Sequence, residues 1–244
     1  MRVLVIPCYN EEQRLKASEI YRCIDKLNCT VVLVDDGSKD GTLNMITAIA
    51  DHDPLHIHVH SLTQNMGKGE AVRQGVHIGF RLGATEIAFC DADFSVDADD
   101  LSRLFNRLDA APHLDAAIGS RMAISGSVIE RSYLRHISGR IFATIVTLIL
   151  NKRIYDTQCG SKVFRANSVV FRAFSETFIS RWAFDVEVIG RIFAQRQHTT
   201  PITSIEEVPL LRWVAQPGSK LTFIQQGITV LELLKIRTSL KKWS

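Results

Sequence analysis

Residues 86–93 read Glu86-Ile87-Ala88-Phe89-Cys90-Asp91-Ala92-Asp93, an apolar run that passes directly into two carboxylates one residue apart. The run reads as a strand, between helical patterns at 69–82 and 99–108. Outward from it the same alternation repeats. Strand-like runs at 3–6, 30–34, 56–61 and 116–118 are separated by helical patterns at 11–27 and 42–50 and by the two just named. Strands alternating with helices of this length predict an α/β fold, a mostly parallel central sheet flanked by helices. Ligands of such sheets sit at the carboxyl ends of the strands. The unusual residues fall there: Pro7-Cys8-Tyr9-Asn10-Glu11, Asp35-Asp36-Gly37-Ser38 and Asp91-Ala92-Asp93.

Two carboxylates at this spacing past a strand can share one hard cation with a diphosphate oxygen, an arrangement that suits Mg²⁺ or Mn²⁺. The competing reading is a helix N-cap region, which fits Asp97, Asp99 and Asp100. Asp35-Asp36-Gly37-Ser38 reads equally as a turn. No GxGxxG follows the first strand, which disfavours a dinucleotide enzyme of the usual kind. Gly67-Lys68-Gly69 is no P-loop, because Leu62 stands where its first glycine belongs. His56, His58 and His60 alternate with Ile57 and Val59 and read as the polar side of a half-buried strand.

The chain has 244 residues, 46% hydrophobic and 23% charged, which excludes disordered, collagen-like and coiled-coil classes. No linker or repeat divides it, so residues 1–244 read as one domain. Its five cysteines lack CxxC spacing, which disfavours a disulfide framework or a zinc ribbon. No apolar run approaches the roughly 20 residues needed to span a bilayer. The net charge of +3 conceals an asymmetry: residues 1–122 carry 12 basic and 18 acidic side chains, residues 123–244 carry 17 and 8. A basic half attracts an anionic surface or a phosphorylated substrate. The stretch 131–153 sets an apolar run between Arg131, Arg135, Arg140, Lys152 and Arg153. It suits a helix lying at a headgroup boundary, or alternatively a buried core helix. Residues 228–243, with Lys235, Arg237, Lys241, Lys242 and Trp243, suit a second contact with an anionic membrane surface. No aromatic–basic interleaving points to nucleic acid.

Taken in order, Pro7-x-Tyr9-Asn10-Glu11, Val34-Asp35-Asp36-Gly37-Ser38, Asn65-x-Gly67-Lys68-Gly69, Asp91-x-Asp93 and Gly119-Ser120-Arg121 resemble the family-2 glycosyltransferases of the GT-A fold. In the second half, Arg131-Ser132-Tyr133, Asp156-Thr157-Gln158-Cys159-Gly160, Arg181-Trp182-Ala183-Phe184-Asp185-Val186-Glu187 and Gly218-Ser219-Lys220-Leu221 look like the dolichyl-phosphate glucosyltransferases. The dolichol-phosphate mannosyltransferases match less well, since Val214 stands where they carry an arginine. The eukaryotic glucosyltransferases start with a membrane anchor, whereas this sequence starts at the first strand. Phe178 breaks the QxxRW pattern of processive synthases.

The resemblance implies transfer of a hexose from a nucleotide sugar to a polyprenyl phosphate of dolichyl or undecaprenyl type. UDP-glucose is favoured over GDP-mannose. The implied outcome is inversion at the anomeric carbon, by a peripheral protein on the cytoplasmic face of a membrane. It makes 1–122 the nucleotide-sugar half and 123–244 the acceptor half. Pro7, Tyr9, Glu11, Val34, Asp35, Asp36 and Lys68 would line the donor, and Asp91, Ala92 and Asp93 would hold metal and diphosphate. Arg121, Arg135 and Lys220 would meet the acceptor phosphate. A phosphate monoester needs no general base, because its second pKa lies near 6. A sugar or protein hydroxyl, the alternative acceptor, would need one, and Asp185 is the candidate. A binding subunit without turnover is the remaining alternative, and the intact Asp91/Asp93 pair argues against it.

Overall fold

A computed structural model of the chain describes residues 1–130, 133–196, 204–214 and 223–243, with side chains except at 130, 133–138 and 223–230. Its strands are β1 (Arg2–Cys8), β2 (Cys29–Asp35), β3 (Ile57–Ser61), β4 (Glu86–Cys90), β5 (Ala116–Ser120), β6 (Val128–Glu130), β7 (Ser161–Arg165), β8 (Ile205–Pro209) and β9 (Arg212–Val214). Its helices are α1 (Ala17–Leu27), α2 (Thr42–His52), α3 (Lys68–Arg81), α4 (Ala98–Asp109), α5 (Tyr133–Leu150), α6 (Ser168–Ala173), α7 (Phe184–Arg196) and α8 (Phe223–Ser239). A 3₁₀ turn at Leu240–Lys242 follows α8.

Seven strands form one sheet in the order β3-β2-β1-β4-β7-β5-β8, and β6 pairs with β9 in a second. The main sheet is parallel except at β7, which runs antiparallel to both β4 and β5. Side-chain alternation divides the core in two. Leu4, Ile6 and Cys8 of β1 meet α1, α2 and α4 on one face. Val3 and Val5 meet α3, α6 and α7 on the other. All five cysteines are free and buried. Ile57 is buried and Val59 packs on the first cluster, while His58 and His60 of β3 are half-exposed. His56 precedes β3 and pairs with Asp53.

Several segments differ from the sequence reading. Residues 11–16 are not helical, because Asn10 takes a left-handed φ of 52° and turns the chain off β1. Helix α1 starts only at Ala17. Strands β6, β7 and β9 and the short α6 carry no pattern strong enough to announce them. The stretch 131–153 is neither purely interfacial nor purely core. Helix α5 buries Val146 against Ala183, Val186, Leu233 and Ile236, with Ile145 packed beside them. Its outer side leaves Ile141 59% and Leu148 70% exposed, and α8 leaves Leu231 63% and Leu234 54% exposed. Among the described residues, no helix is long and apolar enough to cross a membrane.

Candidate active site

Because β2, β1 and β4 are neighbours, their carboxyl ends bring residues 7–11, 35–38 and 91–93 to one edge. The loop before β7 arrives beside them: the Asp91 N–H donates to the Gly160 carbonyl (3.0 Å). A Cβ at Gly160 would lie 2.2 Å from Asp91 Oδ2, so any side chain there displaces the carboxylate. The Asp93 carboxylate accepts the Ser95 N–H (3.0 Å). Lys68, the first residue of α3, forms an ion pair with Asp91. Burial alone would lower the Lys68 pKa, but Asp91 and Asp185 outweigh it and raise the value, so the ammonium stays charged.

A second ion pair lies close by in the core. Lys162 of β7 is fully buried. Its Nζ sits 2.6 Å from Asp185 Oδ1 and donates to the Cys159 carbonyl (2.7 Å). Both Lys68 and Lys162 lie over the Phe89 ring, at 5.8 and 5.2 Å. Burial raises the Asp185 pKa, against the pull of Lys162 and Lys68. The carboxylate is 4% exposed and committed to Lys162, because α7 delivers it into the core.

Arg121, just past β5, is held from two sides. Asp156 receives its Nε (2.7 Å), its Nη2 (2.8 Å) and its backbone N–H (3.0 Å). Trp213 of β9 lies beneath the guanidinium at 5.2 Å. Glu207 of β8 fixes Asp156 in turn by accepting the N–H groups of Tyr155 (2.7 Å) and Asp156 (2.8 Å). Asp100, inside the first turn of α4, accepts the N–H groups of Leu211 (3.0 Å) and Arg212 (3.1 Å) and so seats β9. Burial opposes ionisation of Asp156, but Arg121 more than offsets it and holds the carboxyl below its usual range. Asp156, Lys162, Glu207 and Trp213 received no role from the sequence. The signal that could have found Asp156 and Lys162 is their place beside Gly160, next to the Asp91 turn.

The residues expected at the donor divide. Pro7, Tyr9 and Glu11 lie at the end of β1, with the Glu11 N–H donating to Thr42 Oγ1 (2.8 Å). Asp35 and Asp36 are buried and hold loops. Asp35 accepts Ser38 N–H (3.2 Å) and Ser61 Oγ–H (3.2 Å). Asp36 accepts the N–H groups of Met66 (2.7 Å) and Gly67 (2.9 Å). Strand alternation turns the Val34 side chain into the core against Gly75, which leaves its backbone to face a ligand. Ala92 likewise packs inward. Lys220 lies outside the described residues, as does the Arg135 side chain. A cavity of about 440 Å³ opens beside Asp93, with Arg14, Lys16, Arg22 and Arg212 on its walls.

Among the described residues, no three His, Cys, Asp or Glu side chains cluster to hold a metal. Asp91 and Asp93, the two carboxylates expected at the metal, lie one residue apart at the end of β4. That set suits a hard divalent cation that takes its remaining oxygens from phosphate and water. The ammonium drawn onto Asp91 marks the same spot as one that favours positive charge.

Residues 3–173 match the family described as Glycosyl transferase family 2. A dolichyl-phosphate beta-glucosyltransferase of Dictyostelium discoideum is 31% identical over 255 residues, covering 96% of this chain and 73% of the relative. One from Homo sapiens is 32% identical over 259 residues, covering 98% and 76%. Among solved structures, glucosyl-3-phosphoglycerate synthase from Mycobacterium tuberculosis, in complex with Mn²⁺, UDP and glucosyl-3-phosphoglycerate, aligns with a TM-score of 0.68. At 14% identity over 99% of this chain and 80% of that one, this likeness concerns the fold alone. With the family match spanning more than half the chain and these relatives aligned along nearly all of it, the chain belongs to glycosyl transferase family 2.

Proposed function

We propose that the chain transfers glucose from UDP-glucose to a polyprenyl phosphate, with inversion, while seated on the anionic cytoplasmic face of a membrane. The observation that carries the acceptor assignment is the commitment of Asp156 to Arg121 and of Asp185 to Lys162. Asp185 is the carboxylate that the sequence offers as a base, and Lys162 occupies it. A hydroxyl acceptor requires a base, and a phosphate already ionised at neutral pH does not. The relatives' printed name, dolichyl-phosphate beta-glucosyltransferase, supports the same acceptor and glucose as the sugar transferred.

A phosphate oxygen attacks the anomeric carbon from the face opposite UDP, the bond to the diphosphate breaks, and UDP leaves with the electron pair. Asp91 and Asp93 would hold Mg²⁺ or Mn²⁺, which supplies Lewis-acid stabilisation of the leaving diphosphate. Lys68 adds charge on the donor side. Arg121, already oriented by Asp156 and Trp213, offers cationic charge to the acceptor with little left to reorganise. The cations of the Asp93 cavity add to the field that brings two anions together. The exposed Ile141, Leu148, Leu231 and Leu234, near the exposed Lys235 and Arg237, support the membrane seat.

The test is a panel of UDP-glucose, UDP-N-acetylglucosamine and GDP-mannose, each offered a short polyprenyl phosphate and the matching polyprenol. Glucose transfer to the phosphate and none to the alcohol is expected. Preferred transfer to the alcohol would overturn the acceptor reading, and preferred use of GDP-mannose the donor reading.

A further inference from the structure

The loop at 174–183, before α7, is fastened from several sides. Glu187 accepts the Ile179 N–H (2.8 Å) and pairs with the buried Arg191 (2.7 Å). Arg191 donates to the carbonyls of Ala173 (2.8 Å), Glu176 (2.9 Å) and Thr177 (2.9 Å). Trp243, after the last turn, covers the Arg191 guanidinium at 4.5 Å, and Lys242 pairs with Glu176. One further fastening reaches α8. The buried Ser180 hydroxyl donates to Glu232 Oε2 (2.5 Å) and accepts the N–H groups of Trp182 (3.3 Å) and Ala183 (2.8 Å) that open α7. A single oxygen thus joins α8, α7 and the loop.

The next residue, Arg181, crosses to the donor side. Its Nη2 donates to the Asn65 carbonyl (3.0 Å) and to the Asn65 side chain. Its stem fills the space over Gly67, where a Cβ would meet Arg181 Nε at 2.7 Å. Met66 and Gly67 are the residues whose N–H groups Asp36 accepts, and Lys68 follows with its bond to Asp91. A contiguous path therefore runs from Glu232 through Ser180 and Arg181 to the loop that precedes Lys68.

We propose that Glu232 is a positioning residue: through Ser180 and Arg181 it sets the 65–67 loop, and thereby couples the seating of α8 to donor binding. The proposal rests on the donor reading above for its functional consequence, but the loop itself can be watched without any ligand. Without Glu232 the Ser180 hydroxyl loses its acceptor, the start of α7 loosens, and Arg181 no longer approaches Asn65 from a fixed origin. Glu232→Gln keeps an acceptor for the hydroxyl, so it should behave as the parent does.

The experiment compares the full chain with Glu232→Ala, Glu232→Gln and Arg181→Ala by amide hydrogen exchange at Met66 and Gly67 and by calorimetry with UDP and Mn²⁺. Glu232→Ala should speed exchange at both amides and weaken UDP binding on the order of fivefold or more, the lower end of ordinary coupling between sites. The donor KM should rise more than kcat falls. Glu232→Gln should restore both readouts, and Glu232→Ala should add nothing in an Arg181→Ala background. A purely structural role would lower the melting temperature and leave the Met66 and Gly67 amides unchanged. If the alanine variant does not fold, Glu232→Asp, one methylene too short, replaces it. Unchanged exchange and UDP affinity, or additive effects with Arg181→Ala, overturns the proposal. If the parent binds GDP in place of UDP, the donor reading fails and the same comparison is read with GDP.

Discussion

Replacing Gly160 by alanine should disable the site while leaving the fold intact. Gly160 is not among the residues with positive φ, so alanine meets no backbone penalty there. What it meets is Asp91. The new Cβ would stand 2.2 Å from Oδ2 and 2.5 Å from Cγ, whereas ordinary contact starts at 3.4 Å. From 2.2 to 3.4 Å the carboxylate must retreat by about 1.2 Å. A displacement near 1 Å at a reacting centre costs roughly 10²-fold in rate. That corresponds to about 2.7 kcal/mol of transition-state stabilisation.

The assay is turnover of UDP-glucose with Mn²⁺ and a short polyprenyl phosphate, alongside Mn²⁺ affinity in the presence of UDP and the melting temperature. We expect kcat and Mn²⁺ affinity to fall together and the melting temperature to move little. Gly139→Ala on α5 is the control, since nothing lies within 4 Å of its Cβ. It should leave turnover alone and stabilise the helix by about 0.5–1 kcal/mol. A Gly160→Ala protein that turns over within a few-fold of its parent refutes the placement of Asp91 in the reaction.

Three further outcomes are expected. Asp93→Ala should lower turnover on the order of 10²-fold, and excess chelator should abolish it in the parent; full activity in chelator would remove the metal from the site. Asp156 has a folded-state pKa below its unfolded value, so the stability it contributes is complete at neutral pH and is lost as pH falls below about 4. Asp156→Asn should flatten that acid limb and cost about 3 kcal/mol, the low end for breaking a buried pair, because Arg121 keeps 24% of its side chain exposed. An unchanged acid limb in urea titrations across pH would count against the pairing. Ile141→Asp with Leu148→Asp should abolish salt-sensitive binding to anionic vesicles and leave UDP affinity unchanged. Ile145 on the same helix packs beside Val146, Ala183 and Leu233 and would test the fold instead.

The first half was legible because its signals are local. Strands β1, β2 and β4 are nearly continuous apolar runs, and each ends in residues a buried strand cannot hold. The second half is built from distant pairings that leave no local pattern. Strand β7, Ser161–Arg165, places Lys162 inside the sheet between β4 and β5. A lysine inside a five-residue strand reads as a surface residue until Asp185, 23 positions later, is known to face it. The role of Asp156 depends on Arg121, 35 residues before it, and on Glu207, 51 residues after it. Strand β9 is three residues long and owes its place to Asp100, whose position in the first turn of α4 reads as an ordinary helix start. Val34 shows the opposite case. It lies inside a donor motif, but a strand that delivers Asp35 to the edge must turn its neighbour inward.

These pairings also account for how so few acidic residues can serve the site. Lys68 and Asp91 at the edge, with Lys162 and Asp185 in the core nearby, make a balanced set of two positive and two negative charges around Phe89. Burying an unpaired carboxylate would drive it to take up a proton, and Lys162 offsets that tendency at the buried Asp185. Buried pairs of this kind add little to net stability, because desolvation offsets most of their attraction. Their value here lies in the state they enforce. Asp91 is held in position by Lys68 on one side and by the bare backbone of Gly160 on the other. Arg121 is kept ionised and oriented by Asp156 in the same way. On the proposed reading, the metal-side Asp91 and the acceptor-side Arg121 are each preset by a counter-charge of their own, past β4 and β5 of one sheet. That arrangement suits a reaction in which one diphosphate leaves and another phosphate approaches, because neither charge has to be assembled during the reaction.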